Sequence, residues 1–545
     1  MNLICRSRLL PALFVLAGAN AWSAGPFFNI LDYGARTDGS GRATEAIRSA
    51  IQAAKAAGGG TVYIPAGKYL SGPIELVSNL VLHIEAGATL RFPAERLPFT
   101  QGRQQGIECI TPVPLIGGRN LENVTITGRG VLTSDNAEWM KIFGRIKPSG
   151  SDPGSANGPA WASLLESLER KTPATEEEYR RAAPELRPSF IRTMDSRNVL
   201  IEGIHILGSP MWPIHLLYTS NAVIRDVTIE TYPGVQTGGI YIDSSRDVRI
   251  SNCYIETGDD GIVLKSGKDA DGLRVNRPTE NVTITNCTVR RAHGAVVLGS
   301  ETGGGIRNVV ASNITCQGTQ MGVRIKSRRG RGGVIEDVRF DQWTMEDVGQ
   351  GINVTNYYLM EGEVKTAEEP VSKRTPVYRN IAISNMTINR ARVAINIEGL
   401  PEMPISGLRI SDVIASGKSG MKASNTVALE LHRVQVNADS GPAFLVRDSK
   451  ELELDAVSAR KPLSDAPVIR LDGCPGAIVR ASKAFAGTGT FLSVAPGEMK
   501  SVVLEGNALG GALKATEEAK PGAWYKSEPP TEREPAAPAA RRNSR

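Results

Sequence analysis

The sequence predicts an all-β protein, a right-handed single-stranded parallel β-helix with an N-terminal capping helix. Two observations carry this prediction: a repeat of strand-like segments along most of the 545 residues, and an amphipathic helical stretch ahead of it. The composition agrees, because 57 glycines and only 5% aromatic residues suit a chain of many short strands and turns. The charged and apolar fractions are ordinary for a soluble protein.

The repeat consists of short segments that begin with Asn or Asp and then alternate apolar and polar residues. Alternation with period two in segments rich in Val, Ile and Thr favours strands over the helices of other solenoids. A unit of 24 to 34 residues with one short strand set must stack on its neighbours to bury a face, which indicates a β-helix. In one copy, Ala222 takes the place of the leading Asn or Asp. The anchor positions are Val199, Val223, Val248, Val282, Val309 and Val338.

The N-terminus is typical of a secretory signal peptide covering residues 1–21. Arg6 and Arg8 precede the apolar run LLPALFVLAGA, which is too short to span a bilayer, and residues 19–21 form a small-x-small cleavage site. No later stretch is apolar enough for a membrane span. We therefore expect a secreted or periplasmic protein.

Residues 26–515 are predicted to form the β-helix domain. The stretch TEAIRSAIQAAKAAGGG (44–60) has helical spacing and should cover the first coil. Residues 141–187 break the repeat with Pro, Gly and a charged helical piece, and we interpret them as an excursion on one flank. Residues 516–545 are rich in Pro and charge and are predicted to be a disordered tail.

Two cysteines lie at matching places in the repeat. Cys253 and Cys287 each follow a repeat valine by five residues. Five cysteines remain once the signal peptide is removed, and a chain of this length needs no disulfide framework. Buried, stacked thiols are therefore favoured over a bridge.

Polar groups recur on neighbouring coils in the middle of the chain. Asp259 and Asp260 lie on one coil, His293 on the next comparable coil, and Arg324 and Lys326 on the one after. Arg324 and Lys326 are two apart in a strand, so both point outward on the same face. Such a set is either a structural ion network or a site for an acidic sugar chain.

The carboxylate pair fits the chemistry of glycoside hydrolysis. That reaction needs a protonated acid and a base, and inverting enzymes hold them roughly 6.5–9.5 Å apart to admit water. Adjacent residues on a turn can splay that far. Mutual repulsion and burial would raise the pKa of one carboxyl group and keep it a proton donor.

Four motifs resemble, in order and spacing, those of family 28 glycoside hydrolases, the polygalacturonase family. The opening of the chain is also similar to the N-terminal cap and first coils of pectin-degrading β-helix proteins, and the likeness covers roughly residues 28–360. Four motifs in order make chance agreement very small. The motifs are SPMWPIH (209–215), TGDDGIVLKSG (257–267), AHGAVVLGSE (292–301) and GVRIKSRRGRGG (322–333).

The resemblance implies a role for each residue of the predicted site. Asp259 would be the general acid, Asp260 would activate water, and His293 would orient the acid. Arg324 and Lys326 would hold a substrate carboxylate. The implied reaction is inverting cleavage of α-1,4-galacturonosyl bonds in pectin or a related acidic polysaccharide, with no metal or other cofactor.

One departure from the family pattern weakens the water-activating side. The family usually has an Asp where this chain has Gly238, 21 residues before Asp259, and a second common Asp is replaced by Tyr241. Asp243 lies five residues beyond Gly238, roughly 15 Å along an extended strand, so it is a poor replacement. A changed substrate or a reduced rate becomes more plausible.

Four further polar residues have two interpretations each. Lys265 is predicted to point outward, as a subsite contact or a solvated side chain. Tyr357 and Tyr358 fall where the family often has a substrate-facing Tyr, or they cap a coil. His215 either packs beneath its motif or acts directly.

The predicted partner is an acidic polysaccharide bound by a monomer. The glycine-interleaved cluster of Arg328, Arg329 and Arg331 favours an anionic ligand. Nucleic acid is disfavoured because no aromatic stacking platform accompanies the cluster. Two alternatives to hydrolysis stay open: a pectate lyase-like eliminase, which usually needs calcium and an arginine base, and a carbohydrate-binding β-helix that has lost activity.

Overall fold

The computed structural model describes residues 25–142, 159–169, 175–359 and 365–519. Within these residues, successive strands pair in parallel into one long sheet that winds as a right-handed β-helix, which confirms the predicted fold class. The predicted signal peptide, most of the predicted tail and part of the excursion lie outside the described residues.

The coils stack their strands into three faces. The first face, which carries the polar groups discussed below, contains Ile74–Glu75, Ile116–Arg119, Ile191–Met194, Ile214–Leu217, Ile240–Asp243, Ile262–Lys265, Gly294–Gly299, Met321–Lys326 and Gln350–Thr355. The second face contains Phe27–Asn29, Gly60–Ile64, Leu80–Ile84, Glu122–Gly128, Arg197–Glu202, Ser220–Arg225 and Arg246–Ser251. The third face contains Asp38–Arg42, Gly67–Leu70, Ala88–Arg91, Val131–Thr133, His205–Leu207, Thr228–Glu230 and Tyr254–Glu256.

Later coils run the second and third faces together, from Val377 the strands continue into the first face as well, and paired strands recur to the end of the described chain. The long strands are Thr279–Arg290, Ile306–Gln317, Val334–Glu346, Val377–Glu398, Ile405–Ser424 and Glu430–Arg447. The final coils contain Glu453–Asp455, Ile469–Asp472, Ile478–Arg480, Thr488–Val494, Val503–Glu505 and Ala512–Glu518. The last of these pairs with Thr488–Val494, so the β-helix continues past the predicted boundary at 515.

The register corrects one anchor of the predicted repeat. Ala222 pairs with both Val199 and Val248, so Val223 is not the equivalent position. Ala222 is fully buried in the core, whereas Val223 points outward. The unit therefore begins at Asn221 and follows the same pattern as the other copies.

The residue that opens each unit makes the bend between faces. Asn198, Asn221, Asn281 and Asn308 all have φ between 50° and 58°, in the left-handed region that Asn tolerates better than most residues. Their side chains bond from coil to coil: Asn221 donates to Asn198 at 2.6 Å, and Asn308 donates to Asn281 at 3.1 Å. The recurring Asn thus sets the corner and ties adjacent coils together.

The front of the β-helix is closed by the predicted helix, which spans Thr44–Ala56. Its Ile47, Ala50, Ile51 and Ala54 are buried against the first coils. The helix ends before the glycines at 58–60, which have positive φ values. The apolar end of the coil is thereby covered, as a solenoid requires.

The flank carries more structure than the sequence predicts. An antiparallel hairpin, Phe99–Gln104 with Ile107–Pro112, leaves the β-helix before the excursion. The excursion adds Asn136–Ile142, Pro159–Glu169 and Glu176–Ala182 as helices, followed by the short 3-10 turn Ala183–Glu185. A further helix, Asp269–Val275, follows the strand that carries Lys265. The side chains of Trp161 and Leu164 pack on the hairpin residue Ile107.

All five described cysteines are buried and free. Cys253 and Cys287 lie in the core on adjacent coils and their thiols interact. The prediction of stacked thiols instead of a disulfide is confirmed.

Candidate active site

The five groups predicted to form a site come together on the first face of the β-helix. The strand Ile262–Lys265 follows Asp260, and the next strand, Gly294–Gly299, follows His293. The strand Met321–Lys326 comes one coil later and pairs with Gly294–Gly299. Val323 and Ile325 are core residues, so the alternating Arg324 and Lys326 face outward. The groups share one trough, which is the condition that the predicted chemistry requires.

Stacked backbone turns fix the two aspartates. The carbonyl oxygen of Asp259 accepts from the amide of His293 at 3.1 Å, and that of Asp260 accepts from the amide of Gly239 at 3.0 Å. The Asp260 amide donates to the Asp259 carboxylate at 2.8 Å. The turn is therefore bonded to the coils before and after it, which holds the two carboxylates in different directions.

Asp260 is a buried carboxylate between two cations. Its carboxylate oxygens lie 2.7 Å from Lys326 Nζ and 3.3 Å from Arg324 Nη1, and the residue is only 4% exposed. Burial alone would raise the pKa of Asp260, but the charges of Lys326, Arg324 and His293 outweigh it and hold the pKa well below its usual range. Asp260 therefore stays ionised, as a base must.

Asp259 points to the imidazole on the next coil. His293 Nδ1 lies 3.4 Å from Asp259 Oδ1, and both side chains are about a quarter exposed, at 26% and 22%. Burial alone would lower the pKa of His293, but the hydrogen bond and charge of Asp259 and the charge of Asp260 raise it above its ordinary value. The more accessible carboxylate thus has an imidazole neighbour that fixes its orientation.

We expect the His293 imidazole to titrate above the ordinary histidine value of about 6.5. Replacing Asp259 by Asn should lower the pKa of His293, because the charge that raises it is removed. Since the folded-state pKa is raised, this interaction stabilises the folded protein fully below the ordinary value, and the stabilisation is lost as pH rises through the raised pKa.

The measurement is an NMR titration of histidine-labelled protein, which has only five histidines to assign. The signal of His432, whose partner is Asp455 at 2.8 Å, serves as control because the substitution leaves its surroundings unchanged. An unchanged His293 curve in the Asp259→Asn variant would contradict the assigned coupling.

A buried arginine that sequence reasoning missed supports the turn opposite the aspartates. Arg187 donates to the carbonyl oxygens of Pro210 at 2.8 Å and Val235 at 2.9 Å, and to Gln236 Oε1 at 2.6 Å. Burial lowers the pKa of Arg187 to about 10, and the nearby Asp259 charge opposes that shift. Arg187 thereby fixes the loop that leads to Gly238.

Asp243 does not take the place of a third acid. It is fully buried and lies 2.7 Å from Arg103 Nη1, with His215 Nε2 at 3.5 Å. Burial alone would raise the pKa of Asp243, but the charge of Arg103 and the His215 contact lower it to about 2. Asp243 and His215 belong to a buried network on the outer side of the coil, beneath the hairpin residue Arg103; for His215 this is the packing alternative. The hairpin residue Arg103 carries no sequence signal, because it lies outside every repeat and motif.

The other residues predicted to contact the substrate, Lys265, Tyr357 and Tyr358, lie in different surroundings. Lys265 points to the outer side of its strand as predicted, because Ile262 and Leu264 are core residues, but it is only 6% exposed and pairs with Glu301, so the solvated alternative is wrong. Its strand is covered there by the hairpin, which lies against Glu301. Tyr358 lies at the trough, with Lys326 Nζ 4.9 Å from its ring centroid, whereas Tyr357 lies beside Arg329 at 5.3 Å.

The arginine cluster is largely engaged within the protein. Arg329 forms a two-pronged ion pair with Glu402 at 2.5 and 2.7 Å, and Arg331 pairs with Asp269. These carboxylates neutralise charge that was expected to attract an anionic ligand. The positive charge that faces the trough comes instead from Arg324 and Lys326.

The trough combines an ionised carboxylate, a second carboxylate beside an imidazole, and cations at one wall. Such a pair can protonate a leaving oxygen and take a proton from water, which is the chemistry of glycoside cleavage. Among the described residues, no helix is both long and apolar enough to cross a membrane. The fold and the site define a glycosidase.

Comparison with known proteins identifies the family. The sequence model of "Glycosyl hydrolases family 28" matches residues 175–433, and that of "Rhamnogalacturonase A/epimerase, pectate lyase-like" matches residues 27–89. The chain is 29% identical over 426 residues to a probable polygalacturonase from Vitis vinifera, covering 75% of this chain and 78% of the relative. It is 25% identical to an exo-poly-alpha-D-galacturonosidase from Dickeya chrysanthemi, covering 73% and 68%.

The comparison with a solved structure supports the same family. The chain is similar to a hyperthermoactive exopolygalacturonase from Thermotoga maritima, with 33% identity and a TM-score of 0.68 over 76% of this chain and 92% of that one. The chain belongs to glycoside hydrolase family 28.

Proposed function

We propose that this protein is an exported hydrolase that cleaves α-1,4-galacturonosyl bonds of pectin or a related acidic polysaccharide with inversion. The observation that carries the proposal is the trough itself, in which Asp259, Asp260, His293, Arg324 and Lys326 meet. The polygalacturonase names of the relatives support the substrate class.

Each group has a task in the proposed reaction. Asp259 protonates the leaving glycosidic oxygen, and His293 keeps its carboxyl group in position. Asp260, held ionised, takes a proton from the attacking water. Arg324 and Lys326 bind the carboxylate of the sugar, since buried cations favour an anionic ligand.

The lyase alternative fits the trough less well. A calcium ion needs several oxygen ligands, yet the buried carboxylate of Asp260 is already bonded to Lys326 and Arg324. Two cations at that distance would repel a divalent ion. The proposed domain plan is a signal peptide at 1–21, the β-helix from 26 to the last described coil, and a disordered tail beyond it.

The test is a product profile of the purified protein on a panel of pectic polymers. We expect reducing-end release from polygalacturonate, with the newly formed anomeric configuration inverted in the first NMR spectra. Rhamnogalacturonan and xylogalacturonan complete the panel.

A matched pair of substrates tests the role of the cations. Methyl esterification removes the sugar charge and leaves the backbone unchanged, so activity should fall as the degree of esterification rises. Ultraviolet-absorbing unsaturated products that disappear with a chelator would establish the lyase instead. Binding of the polymers without any cleavage would establish the carbohydrate-binding alternative.

A further inference from the structure

Tyr241 is a buried phenol at the floor of the trough. It lies on the strand Ile240–Asp243, whose Ile240 and Ile242 are core residues, so the tyrosine points to the outer side. Its ring stacks on Trp212 with a centroid distance of 4.1 Å and an interplanar angle of 11°. It is packed in a separate apolar cluster that also contains Met211, Val263 and Val297. The ring is therefore held in one position.

The hydroxyl of Tyr241 lies against the turn that carries the aspartates. A Cβ atom added to Gly238 would be 2.2 Å from the Tyr241 hydroxyl oxygen and 2.6 Å from the carbonyl oxygen of Asp260. Gly238 does not have a left-handed φ, so its glycine is needed for space and not for backbone conformation. Gly238 and Tyr241 form a matched pair in which the phenol occupies the room that a side chain would take.

No hydrogen bond joins this hydroxyl to another described residue, and its oxygen is not among the fully buried unpaired polar atoms, so water can reach it although the residue as a whole is only 2% exposed. Burial and the charges of Asp259 and Asp260 raise the pKa of Tyr241 well above its ordinary value, so the hydroxyl keeps its proton. A protonated, water-accessible hydroxyl thus lies beside the turn that carries Asp260.

We propose that the Tyr241 hydroxyl holds the attacking water on the side of Asp260. The inference rests on the proposed function and adds a residue to it. The water oxygen forms a bond to the anomeric carbon while the bond to the leaving oxygen breaks. The water proton goes to Asp260, the Asp259 proton goes to the leaving oxygen, and Tyr241 retains its own proton. Asp260 supplies one fixed partner for the water, and the hydroxyl of Tyr241 supplies the second.

The test is Tyr241→Phe, which removes one oxygen atom and keeps the stack on Trp212. We expect kcat on polygalacturonate to fall about 10–100-fold with KM within about twofold of wild type, because a misplaced water loses alignment and not sugar binding. Thermal unfolding should be unchanged. The matched control is Tyr254→Phe, whose hydroxyl donates to Glu256 at 3.0 Å on the third face.

The other possible results for Tyr241→Phe also decide whether its hydroxyl holds the attacking water. An unchanged kcat in Tyr241→Phe overturns the inference, and so does a rise in KM alone, since that places the hydroxyl on the sugar. Failure of the proposed function is recognised separately, because wild type would then release no reducing ends from any pectic polymer. Loss of activity in Asp259→Asn together with a fully active Tyr241→Phe would leave the proposed function standing and remove only the role of Tyr241.

Discussion

Replacing Asp259 by Asn is expected to lower reducing-end release from polygalacturonate by about 10²–10⁴-fold, the usual contribution of general acid catalysis. Asparagine has the same shape but carries no acidic proton to transfer to the leaving oxygen. The Asp259 side chain is partly exposed and contacts His293, so the fold should persist. Initial rates, circular dichroism and binding of a short galacturonate oligomer measure the three quantities separately.

The control for this prediction is Asp412→Asn. Asp412 pairs with Arg433 at 2.6 Å on the exposed surface, and its side chain is 34% accessible. The same chemical change there should leave the rate unaltered. Retention of more than half the activity in Asp259→Asn would exclude Asp259 as the acid, whatever the result of the control.

Replacing Asp243 by Asn should cost about 3–5 kcal/mol in the free energy of unfolding. The substitution leaves the guanidinium of Arg103 buried without its carboxylate, and both side chains are inaccessible to solvent. Because the pKa of Asp243 is depressed to about 2, its contribution is present above the ordinary Asp range and is lost only as pH falls through that lower value. Urea denaturation at neutral pH measures the loss.

Two further variants test whether the loss of stability comes from breaking a buried ion pair. The double change Arg103→Met with Asp243→Leu should recover much of the stability, because a buried ion pair can be replaced by apolar residues at little cost. Asp412→Asn breaks an exposed pair and should cost less than about 1 kcal/mol. Equal urea midpoints for wild type and Asp243→Asn would refute a structural role for the buried network.

The fold could be predicted because its signal is local and repeated. Strand alternation and the leading Asn occur in almost every unit, so the β-helix and its capping helix are readily recognised in the sequence. The misplaced anchor at Val223 shows the limit of that pattern. A small apolar residue such as Ala222 carries little weight in a sequence pattern, yet it is the residue that fits inside the coil.

The residues of the candidate site likewise include some that the sequence pattern could predict and others that it could not. Groups that repeat at coil spacing, such as Asp260 and Lys326, could be brought together by counting, because stacking puts equivalent positions side by side. Contacts made by the flanking hairpin and excursion could not be predicted by such counting. Arg103 reaches Asp243 across 140 residues of chain, and Arg187 reaches Gln236 from the end of the excursion. The burial of Lys265 could not be predicted for the same reason, since a hairpin covers its outward-pointing side chain.

The corner-forming asparagines have a consequence for the insertions and deletions that this fold can accept. Val248 and Val282 are 34 residues apart, with the helix Asp269–Val275 between them, yet they pair directly. Because each corner is locked by its own residue and by the coil beneath it, extra chain can loop out between corners without shifting the later coils. Segments that border the substrate can therefore be lengthened, shortened or exchanged between relatives while the chemical groups keep their mutual distances.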